Sequence, residues 1–210
     1  SLALLMVSCV SVRDYSKMTA AEKATEQTRL QSLAEDYFED WNESDQTDLD
    51  ALDGYIAAKK KSTELFPFPG LCPLCYRDYA RGHRIKGIFY FAQRRIVRDR
   101  IRNAPDSMLP KLQRDEAMFT EKIREHFEAS NRALASYFST RENILPETYH
   151  WASAQHAELG NYRQALNYLK LLQALPLSER DLKEVESQRR RYAKKLRELE
   201  LGNINGTIGG

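Results

Sequence analysis

The stretch PETYHWASAQHAELGNYRQALNYLKLLQALPL, Pro146 to Leu177, decides the fold class. Tyr149, Ala152, Ser153 and Leu159 recur at helical spacing before Gly160, and Tyr162, Ala165, Leu169 and Leu172 recur after it, with Pro176 as a stop. The small residues Ala152, Ser153 and Ala165 allow two antiparallel helices to approach closely. Gly160 supplies the sharp turn between them, and Tyr162 and Leu169 fill the groove toward the next helix. Such a hairpin cannot bury both of its apolar faces alone, so helical neighbours are required on either side.

The flanking sequence supplies them. Downstream, Ser178 to Leu201 reads as a charged helix with Leu182, Val185, Tyr192, Ala193, Leu196 and Leu199 turned inward. Upstream, Thr19-Ala20-Ala21-Glu22 opens a helix in the capping-box pattern. Leu30, Leu33, Ala34, Tyr37, Phe38 and Trp41 carry it to about Asn42, and a second helix runs from Leu49 to about Leu65. Phe66-Pro67-Phe68-Pro69-Gly70 is a firm stop, because each proline removes a donor and biases its predecessor toward extended backbone. Helical spacing resumes at Pro73 and continues to Ile101, with Gly87 expected to divide two helices. Leu109 to about Thr140 is helical again, with a break expected near Ser130. No segment alternates with period two, so the chain is read as all-α. Residues 202–210 read as a flexible tail.

The hairpin positions Tyr149, Ala152, Ser153, Leu159, Gly160, Tyr162, Ala165, Leu169 and Leu172, followed by Pro176, resemble one tetratricopeptide repeat over its roughly 34-residue frame. His156 stands where an aromatic is expected, Leu172 where an alanine is expected, and Pro176 falls about one place early. The resemblance implies antiparallel helical hairpins stacked as a short TPR-like array over residues 19–201, with 146–177 its clearest repeat and 178–201 its capping helix. Ala51, Tyr55 and Ala58 sit at the spacing of a repeat's second helix, after Phe38 and Trp41 on the first. A repeat groove would be lined by Tyr149, His156 and Tyr162.

At the amino-terminal end, an apolar run closes with Met6-Val7-Ser8-Cys9 and resembles the processing site of bacterial lipoproteins. The resemblance implies a partial signal segment over residues 1–8, lipid on Cys9, a polar lipidated tether over 9–18 and a membrane-anchored protein facing the periplasm or cell surface. No other segment has the roughly 20 apolar residues of a membrane span. With 42% hydrophobic and 30% charged residues the chain has the material for a core and reads as globular. Three cysteines leave an odd thiol. If Cys9 carries lipid, the remaining pair is Cys72-Pro73-Leu74-Cys75, which reads as a structural disulfide or two packed thiols at a helix start. Zinc would need His83 and a further ligand, and thioredoxin-like redox chemistry would need a strand before the motif. No metal and no cofactor is expected.

The net charge of +2 selects no partner, whereas its distribution is uneven. Arg77, Arg81, Arg84, Lys86, Arg94, Arg95, Arg98, Arg100 and Arg102 face only Asp78 and Asp99 in the same stretch. Helical spacing puts Arg94, Arg95, Arg98 and Arg102 on a stripe expected to face away from Ile88, Phe91, Ala92 and Ile96. Such a stripe is a solvated face, a docking surface for anionic phospholipid or an acidic protein, or a nucleic-acid surface with Tyr76, Tyr79 and Tyr90 stacking on bases. The basic run Arg189 to Lys195 is diluted by glutamates and reads as solvated. No nucleophile elbow, phosphate loop or His-Glu-x-x-His pattern occurs, so no catalytic residue is assigned. The sequence points to a non-catalytic, lipid-anchored adaptor that holds a protein partner in the bacterial envelope, for envelope assembly or as a transporter accessory. The alternative is a cytoplasmic helical protein that binds nucleic acid through residues 77–102.

Overall fold

Thr19 starts the first long helix through local chemistry. Its hydroxyl accepts from the Glu22 backbone N–H at 3.3 Å, and the Glu22 carboxylate accepts from the Thr19 backbone N–H at 2.7 Å. The structure, a computed structural model, describes residues 14–141 and 144–207. Among these residues it is all-α, with α1 at Ala20–Glu43, α2 at Leu49–Leu65, α3 at Pro73–Ile101, α4 at Leu109–Ser139, α5 at Pro146–Glu158, α6 at Tyr162–Gln173 and α7 at Glu179–Thr207. A short 3-10 turn at Tyr15–Lys17, capped by the Asp14 side chain, occupies the end of the stretch read as a tether. The signal segment, Cys9 and the last three residues of the chain lie outside the described residues.

Two expected helix breaks are absent, and both are sites of close packing. Helix α3 runs unbroken through Gly87, where an added Cβ would lie 2.4 Å from the Phe127 ring. Helix α4 runs unbroken through Ser130, whose hydroxyl donates to the Ala80 carbonyl at 2.9 Å. A glycine inside a helix costs only about 1 kcal/mol against alanine. Here that cost is offset because α4 comes close enough to set an aromatic ring on the bare backbone. At the other end of the chain, α7 continues past Leu201 to Thr207, through residues assigned to the tail. Propagating an existing helix adds one backbone bond per residue, without the cost of a new nucleus.

Consecutive helices pair, and the pairs stack in chain order. Trp41, Leu52 and Tyr55 form a core between α1 and α2, while Ala80, Leu134, Tyr137 and Ala152 join α3, α4 and α5. Ala165, Leu169, Leu172, Val185 and Tyr192 join α6 to α7. Each pair also reaches the next. Trp41 meets Phe89 edge-on, the Arg84 guanidinium lies 5.0 Å from the Trp151 ring, and His150 contacts Gln188. In the α5–α6 hairpin Ala165 is fully buried, its carbonyl accepts from the Ser153 hydroxyl at 2.9 Å, and Gly160 makes the turn with φ of +78°.

Candidate binding groove

Helix α3 carries the expected basic residues, with Arg95, Arg98 and Arg102 exposed and Arg94 alone of the four turned inward. Arg94 is only 8% exposed and pairs with Glu158 of α5. Arg98 pairs with Glu116 of α4, Arg102 pairs with Asp99 on its own helix at 3.1 Å, and Arg95 is exposed. The apolar residues expected to be buried face outward instead, with Ile88 42%, Phe91 37% and Ile96 46% exposed. The buried side of α3 is set by Gly82, Gly87 and Val97, together with Lys86, which pairs with Asp53. Small residues let neighbouring helices approach there. The long basic stems lie along the contacts and end on carboxylates, so buried charge is matched.

The outward turn of Ile88 and Phe91 helps to shape a groove of about 420 Å³ between α3 and α7, with α5 at its base. Arg84 joins them on the α3 wall, and Arg191, Tyr192 and Lys195 form the α7 wall. Gln155 lines the groove from α5 and is only 2% exposed. Its side-chain N–H donates to the Trp151 carbonyl at 3.0 Å, while its Oε1 is buried with no partner. A buried acceptor left unpaired costs about 1–3 kcal/mol, a cost that a ligand N–H or O–H would remove.

The electrostatics of the groove favour an anion. Burial shifts the Arg84 guanidinium downward, and nearby Arg81 adds to the effect. The ring of Trp151 supports Arg84 from one side. Arg191 donates to the Tyr192 hydroxyl at 3.3 Å, and Lys195 pairs with Glu198 at 2.9 Å. The one carboxylate lining the groove, Glu158, is already held by Arg94. Outside the lining, Glu147 acts on Arg84 in the opposite direction to burial, and Arg84 and Arg191 are the guanidinium groups that incoming negative charge would meet.

Of the three residues expected to share a repeat groove, Tyr162 alone lines this one, beside Tyr192 with ring centroids 6.1 Å apart. Tyr149 stacks on Phe138 at 4.7 Å and His156 stacks on Tyr168 at 5.5 Å, in an aromatic ladder joining α4, α5 and α6. Tyr149 and His156 lie two turns apart on one face of α5, and Tyr162 follows the turn onto a different face. Gln155, Ile88 and Phe91 were not singled out as site residues. Isolated apolar residues on α3 carried no signal of their outward orientation, and a single glutamine carried none at all.

The remaining candidate groups are placed as follows. Cys72 and Cys75 form a disulfide at the start of α3. His83 points to His126, with the Nδ1 atoms 3.0 Å apart, so that one ring donates and the other accepts. The antiparallel pairing of α3 and α4 brings together these two residues, 43 apart in the sequence. Burial pushes both imidazoles down to about 4. In His83 the neighbouring His126 lowers it further, while in His126 Glu125 acts in the opposite direction. Among the described residues there is no group of three or more His, Cys, Asp or Glu side chains arranged to hold a metal ion, and no helix is long and apolar enough to cross a membrane. Comparison with known proteins finds no matching family model, no matching curated protein and no matching solved structure.

Proposed function

We propose that this chain is a lipid-anchored protein of the bacterial envelope that acts as a non-catalytic adaptor, holding an acidic, partly apolar segment of a protein partner between α3 and α7. The observation that carries the partner-binding reading is the groove itself. Exposed Ile88 and Phe91, the guanidinium groups of Arg84 and Arg191 and the unpartnered Oε1 of Gln155 converge there, which is the mixture a peptide segment matches with side chains, charge and backbone N–H. The resemblance of 146–177 to a tetratricopeptide repeat supports the same class, and the Met6-Val7-Ser8-Cys9 sequence supports the anchor. The nucleic-acid alternative is weakened because Arg77, Arg94 and Arg98 are engaged with Asp78, Glu158 and Glu116.

A photocrosslinking residue in place of Ile88 tests this proposal in cells. A discrete protein adduct is expected, and it should disappear when Arg84→Glu and Arg191→Glu are combined. An adduct that survives the double reversal, or no adduct at all, removes the groove from partner binding. Cys9 acylation, read from the mass of the mature chain, tests the anchor separately.

A further inference from the structure

The segment between α2 and α3, with the first turn of α3, forms an exposed apolar tip. Phe68 is 70% exposed, Leu71 67% and Leu74 52%. Its backbone is held on several sides. Pro67, Pro69 and Pro73 restrict φ, the Cys72–Cys75 disulfide closes the base, and the Tyr76 hydroxyl lies 3.1 and 2.9 Å from the carbonyl oxygens of Phe66 and Pro67. A segment braced in this way cannot fold its apolar side chains back onto the core. Three large apolar groups held in water at one end of a molecule mark a contact site.

The position of the tip identifies what it contacts. Helices α1 and α2 are antiparallel, as the Lys59 to Gln31 bond and the Phe38–Tyr55 contact show, so the start of α1 lies beside the end of α2 and the start of α3. Gln27 donates to Cys75 Sγ at 3.4 Å, and Asp14 and Met18 lie with Glu22 and Thr25 along the first turns of α1. The chain therefore leaves toward Cys9 from the end that carries the tip. Residues 9 to 14 span at most about 18 Å when fully extended. A lipid on Cys9 would hold this end of the molecule within that distance of a bilayer.

We propose that Phe68, Leu71 and Leu74 form a membrane-contact tip that enters the interfacial region of the bilayer beside the lipid on Cys9, and so fixes which end of the helical stack faces the membrane. This inference rests on the envelope-anchor reading for its location. The lipid supplies the attachment, and apolar side chains entering the interface add buried area that sets the orientation of the attached domain. A fluid bilayer accommodates a convex apolar tip without a matching pocket.

The test supplies the anchor chemically, so that it does not depend on acylation in the cell. With the disulfide intact, Cys9 is the remaining thiol of the three cysteines and can be coupled to a maleimide headgroup lipid in vesicles of phosphatidylethanolamine and phosphatidylglycerol. In the tethered full-length protein, the indole introduced by Phe68→Trp should shift its emission to the blue and be quenched by brominated acyl chains beyond the background of Trp41 and Trp151. Without the tether, Leu71→Ser combined with Leu74→Ser should reduce vesicle partitioning by on the order of tenfold. Emission unchanged from buffer and no added quenching overturn the proposal. Sedimentation showing a wild-type dimer that the double serine variant loses also overturns it, by assigning the tip to a second copy. Absence of acyl lipid on Cys9 in cells sinks the envelope-anchor reading alone, because the tethered measurement is unaffected by it.

Discussion

Gly87 and Arg94 both occupy the buried side of α3, and neither residue type announces burial. Gly87 is required by the Phe127 ring, which leaves no room for a Cβ. Gly87→Ala should gain up to about 1 kcal/mol of helix propensity and lose about 1–3 kcal/mol to overpacking. A thermal melt lowered by a few degrees is the expected outcome, and a raised midpoint would show that α4 yields easily. Arg94 is tied to Glu158, whereas its neighbour Arg95 is exposed. Arg94→Glu places like charges together across the α3–α5 contact. Breaking a buried pair costs about 3–5 kcal/mol, and the partial exposure of Glu158 puts this case toward the lower figure. Arg95→Glu should change stability by less than about 0.5 kcal/mol. Parallel urea titrations of the two variants check the contrast, and equal losses would contradict the orientation of α3.

At the scale of elements, α3 and α4 are joined through His83 and His126, with Tyr79 edge-on to His83 and Tyr90 stacked on His126. The charged groups acting on the pair are Lys86, Lys122, Glu125, Arg132 and Asp53. Both imidazoles are held neutral, near 4 against an ordinary 6.5. The unfolded chain therefore takes up protons that the folded chain refuses. The stabilisation is fully present above pH 6.5 and is lost as pH falls toward 4. Urea midpoints measured from pH 7.5 to 4.5 should fall across that window, and His126→Leu should flatten the slope. An unchanged slope would place the pH dependence on other groups. In the neighbouring hairpin, Ala165→Leu should overpack the contact at the Ser153 to Ala165 bond, at a cost of about 1–3 kcal/mol. That corresponds to a drop of several degrees in Tm, and an unchanged melt would show that the hairpin is not held closely there.

For the whole molecule, the stack of hairpins leaves a groove on one side and an apolar tip at one end. The arrangement also makes a statement about thiols. Without reductant, an unprocessed chain should react with one equivalent of thiol reagent and after reduction with three, because Cys72 and Cys75 are bonded to each other. The same preparation should contain no stoichiometric zinc. One zinc per chain that is lost with Cys75→Ser would replace the disulfide with a metal site.

The helical class, the Thr19 cap, the stop at Phe66 to Gly70 and the turn at Gly160 were all legible in the sequence. Each rests on local chemistry, namely a hydroxyl three residues before a carboxylate, a proline without its donor, and a glycine at positive φ. Periodicity alone also located the apolar positions of α1, α2 and α6, where the larger apolar residues do face the core. Part of helix α3 differs from its periodicity because Gly82, Lys86, Gly87 and Arg94 share the buried side with Ala80 and Val97, while Ile88, Phe91 and Ile96 are left outside. Which side of a helix is buried depends on how closely its neighbours approach and on where their carboxylates stand. Glu158 and Glu116, far along the chain from Arg94 and Arg98, settle that orientation. The His83–His126 pair and the burial of the Gln155 Oε1 without a partner arise in the same way, because the surroundings of a side chain are set by residues distant in sequence only once the helices have packed.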